Sequence, residues 1–264
     1  MKIAIVTGAS SGMGKEFVLQ LSRYAQVDAI WAIARRENAL LGLQKGCPVP
    51  VRPVVLDLCR QESFDAFQKL LAEETSEVVL LVNAAGFGKF GSFENIPLEE
   101  DCRMIDLNCK ALTVITRLTL PYMPKGSHIL QLDSLSAFQP VPYITTYSAT
   151  KAFVLSYSIA LNQELRHRGI RVMAMNPGWV KTEFFNHAMN TNQSQVQHFD
   201  RLYEAKDVVA TALRDLYKTK KDVSIHGLPV RNQVRLVKLL PHSLVMKVWL
   251  KQQKKPRNNT NLTK

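Results

Sequence analysis

An apolar, β-branched run at the amino terminus, Lys2–Thr7, passes directly into Thr7-Gly8-Ala9-Ser10-Ser11-Gly12-Met13-Gly14 and then into the helical stretch of residues 15–21. No other stretch restricts the fold as much. A short, continuous apolar run marks a strand buried on both faces, which means a parallel sheet covered by helices. Glycine between strand and helix lets the chain turn tightly and bring its backbone close to a pyrophosphate. The phosphate charge would then rest against the free N–H groups of the helix's first turn. Gly8, Ser10, Ser11, Gly12, Met13 and Gly14 are therefore candidate cofactor contacts. A glycine-rich loop alone is a weak signal; the order strand, loop, helix makes it specific.

The same alternation continues through one α/β domain. Residues 28–34 read as a second strand, ending in Ala34-Arg35-Arg36. An acidic residue about 20 positions past the glycines would grip a ribose 2′-hydroxyl and favour NAD. Here two arginines follow Ala34, and guanidinium forks fit a 2′-phosphate. NADP(H) is thus expected in preference to NAD(H), with Arg35 the stronger candidate and Arg36 beside it; the alternative is a pair of ordinary surface charges. A third strand over 53–58 ends in Asp57-Leu58, where an adenine edge would be met. A helix over 61–74 follows, then a strand over 77–82 leading into Asn83-Ala84-Ala85-Gly86, small residues that let the backbone lie along a cofactor. Residues 98–122 read as a long helix broken at Pro121, with Asn108 buried inside it. A buried asparagine needs partners, which either a helix-bending or a water-relay role would supply.

Residues 127–132 form the next strand and deliver Ser134; thirteen residues later Tyr147 opens a helix, with Lys151 one turn on. Side chains at i and i+4 share a helix face. A hydroxyl, a phenol and an ammonium converging on one polar group suit reversible hydride transfer to a carbonyl. The alkoxide that forms needs a proton donor, and Tyr147 is the candidate acid. Poising a phenol of pKa about 10 near pH 7 takes about 4 kcal/mol of bias toward phenolate, in the direction that the charge of Lys151 supplies. Ser134 would hydrogen-bond the substrate oxygen. Tyr217 and Lys221 have the same spacing, but Glu204 stands thirteen residues before them, so spacing alone decides nothing. Downstream, a strand over 169–175 stops at Asn176-Pro177-Gly178-Trp179-Val180-Lys181-Thr182, at the carboxyl edge of the sheet where doubly wound folds bind ligands. Residues 183–203 read as a mobile substrate lid, residues 205–218 as a helix, and 223–226 as a last strand. Leu135, Phe138, Val141, Tyr143, Trp179, Phe184 and Phe185 are candidate walls of a lipophilic substrate pocket.

Formal charge is uneven. From Lys206 onward there are 14 Lys/Arg and 3 Asp/Glu, whereas residues 1–205 are close to neutral. The basic character belongs to the tail and says nothing about the active site. Residues 1–228 are expected to form the nucleotide-binding and catalytic domain. Residues 229–264 form a basic, amphipathic extension with a disordered end. That extension suits packing over the pocket or a subunit seam, or contact with an anionic membrane surface; nucleic acid is not an expected partner. Cys47, Cys59, Cys102 and Cys109 have no metal or disulfide spacing and read as reduced thiols; no metal site is implied. With no apolar run near the ~18 residues of a membrane span, and the first residues already reading as a strand, the expected location is the cytoplasm.

These motifs together resemble the short-chain dehydrogenase/reductase family in its classical form: Thr7-Gly8-x-x-x-Gly12-x-Gly14, Asp57, Asn83-Ala84-Ala85-Gly86, Asn108, Ser134, Tyr147-x-x-x-Lys151, and Pro177-Gly178 with Thr182. The resemblance covers residues 1 to about 182. It implies a Rossmann-type, doubly wound, seven-stranded parallel sheet in a single domain, and a homodimer or homotetramer. It gives Tyr147 the acid/base role, Lys151 a place on the nicotinamide ribose, Ser134 the substrate, Asn108 a relay water, and Val180 with Thr182 the carboxamide. Ala84 stands where the family usually has a second asparagine, and Asp133 where a second serine is common. The implied activity is interconversion of a secondary alcohol and a ketone on a bulky lipophilic substrate such as a hydroxysteroid. The rival is a catalytically silent NADP-binding sensor or scaffold.

Overall fold

The computed structural model describes residues 1–74, 76–189, 195–196, 199 and 201–254. In chain order the main elements are β1 (Lys2–Thr7), α1 (Gly12–Gln20), β2 (Ala29–Ala34), α2 (Glu37–Leu41), β3 (Val51–Val55), α3 (Gln61–Glu73) and β4 (Glu77–Asn83). Then come α4 (Leu98–Ile105), α5 (Leu112–Thr119), β5 (His128–Leu132), α6 (Thr145–Glu164), β6 (Arg171–Met175), β7 (Trp179–Lys181) and α7 (Phe184–Ala188). The chain continues through β8 (Leu202–Glu204), α8 (Ala205–Lys218), β9 (Val223–Ser224), α9 (Leu228–Leu239) and α10 (His242–Gln253).

Seven strands form one sheet in the order β3-β2-β1-β4-β5-β6-β9, with every pairing parallel. This is the expected single-domain, doubly wound α/β fold. Strand side chains alternate between faces. Ala4 and Val6 of β1 therefore pack with Phe17 of α1 and Val209 and Leu213 of α8, whereas Ile3 and Ile5 pack with Phe64 and Phe67 of α3 and Ile115 of α5. Helices on both faces leave the sheet no wet side, and this is why the strands are apolar throughout. The chain winds outward from β1 to β3 and then crosses back to β4. The order reverses between β1 and β4, and a crevice opens at their carboxyl ends, where such folds place ligands.

The third strand runs Val51–Val55 rather than 53–58, so Asp57-Leu58 lies beyond its end, and the last strand is only Val223–Ser224; two larger features also depart from the expected elements. The helix over 98–122 is divided: α4 runs into a π turn over Asp106–Ala111 before α5 begins, and a 3₁₀ turn over Leu120–Tyr122 accommodates Pro121. Within the 183–203 segment, α7 packs Phe185 and Ala188 into a third apolar cluster above the sheet, and β8 pairs in parallel with β7. Part of that segment, and the tail end expected to be disordered (255–264), lie outside the described residues. Among the described residues no helix is long and apolar enough to cross a membrane.

Candidate active site

At the point where the strand order reverses, Thr7 joins the two loops. Its Oγ1 accepts the N–H groups of Ala84 and Ala85, both at 3.1 Å. Gly8 has φ +67°, and a Cβ there would stand 2.7 Å from the Ala85 nitrogen; one on Gly14 would stand 2.2 Å from the Gly8 carbonyl oxygen. Only glycine permits this closeness. The first turn of α1 has no side-chain cap, so its N–H groups keep their capacity for an anion. Asn83, expected along the cofactor, instead turns into the core and donates to Thr116 Oγ1 at 2.9 Å.

Past β5, Ser134 caps a 3₁₀ turn, its Oγ accepting the Ser136 N–H at 3.2 Å. Tyr147 and Lys151 lie on the first two turns of α6, both buried. The Lys151 ammonium donates to the Leu132 carbonyl at 2.8 Å and sits 5.6 Å from the centre of the Tyr147 ring. Burial pushes the Tyr147 phenol above its ordinary pKa, opposed by a hydrogen bond from Ser134 and reinforced by the charge of Asp133. Burial thus sets the direction of the shift, opposite to the one expected from the charge of Lys151. Burial also lowers the pKa of Lys151, against the opposing pull of Asp133 and Cys109.

Asp133 is the residue whose weight the sequence understated. It is almost fully buried, accepts a hydrogen bond from Asn176 Nδ2, and leaves Oδ1 with no hydrogen-bond partner among the described residues. Burial pushes its carboxyl up to about 8, with Lys151, Asn176 and Ser134 pulling the other way.

Asn108 lies in the π turn. Its side chain accepts from the Phe87 N–H at 3.1 Å, donates to the Phe87 carbonyl at 2.9 Å, and donates to Thr150 Oγ1 at 3.1 Å. It clamps the loop after β4 to α6. A Cβ on Gly86 would stand 2.9 Å from Asn108 Oδ1 and 3.8 Å from the Lys151 ammonium, and one on Gly88 would stand 2.8 Å from the Tyr147 ring. Both glycines are therefore places where backbone closely approaches the candidate side chains Asn108, Lys151 and Tyr147.

A cavity of about 520 Å³ opens over this floor. Met13, Ala84 and Gly86 bound it on the nucleotide side; Pro177, Gly178, Val180 and Thr182 bound it on the β6–β7 side. Ser134, Tyr147 and Lys151 face it together. The expected substrate walls Leu135, Phe138, Trp179, Phe184 and Phe185 line it, as does Val141. Tyr143 is not among the lining residues; it takes φ +69°, and its carbonyl accepts the Gly91 N–H at 2.8 Å. Gly8, Ser10, Ser11, Gly12, Gly14, Ala85, Asp57, Leu58, Arg35 and Arg36 also lie outside this cavity. Asp57 Oδ1 accepts the Cys59 N–H at 3.2 Å, and the buried Leu58 packs beneath it. Arg36 pairs with Glu183 at 3.0 Å and donates to Ser10 Oγ and its carbonyl at 3.3 Å. The roof comes from α9 and α10, through Val230, Val234, Val245 and Trp249, and the Trp249 indole N–H donates to the Pro142 carbonyl at 3.0 Å. The sequence signalled an amphipathic tail able to cover the pocket, but not which residues of it would do so.

Residues 2–193 match the family model described as short chain dehydrogenase. The chain belongs to the short-chain dehydrogenase family. It is 32% identical over 183 residues to an uncharacterized oxidoreductase of Staphylococcus epidermidis, covering 69% of this chain and 79% of that one. Among solved structures it is similar to a short-chain dehydrogenase from Sphingobium yanoikuyae in complex with NADPH, with TM-score 0.77, 26% identity and 98% of each chain covered. It is also similar to the bulky-bulky ketone specific alcohol dehydrogenase from Comamonas testosteroni, with TM-score 0.70, 25% identity and 94% of each chain covered. As a short-chain dehydrogenase it is an NAD(P)-dependent oxidoreductase of alcohol and carbonyl groups. The residues fit a nicotinamide dinucleotide: an uncapped helix start, a glycine turn too close-packed for any Cβ, and a cleft running from Met13 and Gly86 to Thr182.

Proposed function

We propose that this short-chain dehydrogenase uses NADP(H), in preference to NAD(H), to interconvert a secondary alcohol and a ketone on a bulky lipophilic substrate such as a hydroxysteroid. The observation that carries the proposal is the placing of Ser134, Tyr147 and Lys151 on one side of a cavity whose remaining walls are largely apolar and aromatic. When bound, the cofactor supplies or accepts the hydride. Tyr147 Oη gives a proton to the substrate oxygen as charge develops there, and takes it back in the oxidative direction. Ser134 Oγ hydrogen-bonds the same oxygen. Lys151 meets the nicotinamide ribose and sets the charge beneath the phenol. Val180 and Thr182 take the carboxamide. Asn108 commits its side-chain amide to Phe87 and Thr150, so a relay water would be met by the backbone of its π turn, a distortion frequent at functional sites.

Arg36 and Arg35 carry the NADP(H) preference. Arg36, already tied to Ser10 in the glycine turn, is better placed than the sequence order implied, while the charge of Arg35 reaches Cys59 beside Leu58. The NADPH complex of the Sphingobium relative supports the cofactor, and the ketone named for the Comamonas enzyme supports a roomy pocket. Exposed Phe153 and Ile159 on α6 support a homodimer or homotetramer, which light scattering would count. Four unpaired cysteines suit a reducing cytoplasm.

The test is NADPH consumption, with NADH alongside, against steroid, aliphatic and sugar ketones. Turnover fastest with NADPH and steroid ketones is expected. Tight NADPH binding with no oxidation across the panel would instead identify a silent sensor.

A further inference from the structure

The outward side of the two helices that roof the cavity carries an uncommon combination. On α9, Leu228, Leu236 and Leu239 are 63%, 57% and 82% exposed, with Arg235 among them. On α10, Leu244, Lys247, Val248 and Lys251 are all exposed. Their spacing of i, i+3, i+4 and i+7 places them in one stripe. The inward sides of the same helices hold Val230, Val234 and Val245 against the cavity, whereas Leu228, Leu239 and Leu244 are exposed and do not line it. The chain has no Asp or Glu after Asp222, and therefore no carboxylate of its own within this region to neutralise the cations. Leu236 and Val248 belong to both sets: they line the cavity and are about half exposed. These two side chains therefore stand at the edge of the cavity, next to the exposed residues of the same two helices.

We infer that the outer face of α9 and α10 docks on an anionic lipid bilayer, with the mouth of the substrate cavity turned toward the acyl region. Three occupants compete for such a face, and charge separates them. A second copy in a two-fold contact would bring the same uncompensated cations against themselves. Nucleic acid would satisfy the cations and leave five exposed aliphatic side chains against phosphate and sugar. An anionic bilayer satisfies both, because an amphipathic basic helix buries its apolar side at the headgroup boundary while lysine and arginine meet the headgroups. The inference rests on the lipophilic-substrate reading for its purpose: a substrate dissolved in the bilayer would enter from the side on which it is stored.

The experiment is co-sedimentation of the full chain with vesicles of phosphatidylcholine alone and of phosphatidylcholine with 30% phosphatidylserine. Each headgroup-level cation contributes about fivefold, or about 1 kcal/mol. Replacing Lys247 and Lys251 together by Gln should thus weaken binding to the anionic vesicles about 25-fold. Leu239→Glu, at a position outside the cavity, should abolish binding while leaving the melting temperature and NADPH affinity unchanged. Strong binding to the anionic vesicles alone, weakened about 25-fold in the double lysine variant and lost in Leu239→Glu, is the expected result. Equal binding to both compositions, or none to either, overturns the inference. So does a dimer that Leu239→Glu dissociates, or salt-sensitive binding to duplex DNA that Leu239→Glu leaves intact. Reduction of a water-soluble ketone, assayed without vesicles, reports separately on the enzymatic reading, and either can fail alone.

Discussion

Asp133→Asn is the substitution that most directly tests the electrostatics of the active-site floor. The carboxylate is buried, one oxygen is bonded to Asn176, the other has no hydrogen-bond partner among the described residues, and burial pushes the group up to about 8. In the unfolded chain the same group titrates near 4. Between these values the native state holds a proton that the unfolded state has released, so stability falls as pH rises. Its contribution is fully present below about pH 4 and is lost as pH passes through about 8. At about 1.36 kcal/mol per pH unit the ceiling is roughly 5 kcal/mol. Water entry and local relaxation around an ionised carboxylate reduce this to about 2 kcal/mol of expected effect. Asparagine keeps the shape and the amide-level hydrogen bonding and removes the titration. Lys151, whose charged form burial disfavours, contributes a slope of opposite sign toward more alkaline pH; because Asp133 holds the Lys151 pKa up, asparagine lets it fall further, which adds to the variant's gain at high pH. Thermal melts from pH 5 to 9 at constant ionic strength should therefore diverge, the Asp133→Asn protein gaining on the parent as pH rises. For a chain of this size, about 2 kcal/mol corresponds to roughly 4–8 °C near pH 9. Parallel curves across the range would refute the reasoning, because they would mean that Asp133 titrates alike in the folded and unfolded states.

Tyr147→Phe should lower kcat by about 10²–10⁴-fold with NADPH affinity unchanged in a fluorescence titration; retained turnover removes the phenol from the chemistry. Arg36→Ala removes a charge-assisted contact worth about 1.5–3 kcal/mol, so NADPH should bind roughly 10- to 150-fold more weakly while NADH binding moves little. Gly88→Ala would bring a Cβ to 2.8 Å from the Tyr147 ring and 3.0 Å from Phe184; at about 1–3 kcal/mol of overpacking the fold should survive and activity should fall more than the melting temperature. Trp249→Ala removes part of the cavity roof and its bond to Pro142, and should raise KM for a steroid ketone more than for a small aliphatic one.

What could be read from the chain was whatever local spacing encodes. The β1–glycine–α1 unit, the Tyr147 and Lys151 pair one turn apart, and α8 at its observed bounds all depend on residues within a few positions of each other. The buried strands were legible one by one as apolar runs, while the seven-stranded sheet that joins them was implied by the family resemblance. What escaped depends on partners distant in sequence. Asp133 meets Asn176 across 43 residues, and the hydrogen bond to Trp249 spans 107. The three-residue strands β7 and β8 are too short to show a period, and their parallel pairing joins residues more than twenty positions apart. Asn108 was visible as a buried amide needing partners, but its partner is the backbone of Phe87, 21 residues earlier, and no side-chain pattern reports a backbone clamp. The division has a consequence for chemistry. Tyr147, Lys151 and the glycine turn are local and could be identified singly. The carboxylate that shares the lysine's charge, and the helices that decide what reaches it, are set by tertiary contacts. The buried carboxylate and the cavity roof therefore belong to the part of the fold that local spacing does not encode, and Asp133 with the α9–α10 roof is where variation would reshape the cavity without touching Tyr147.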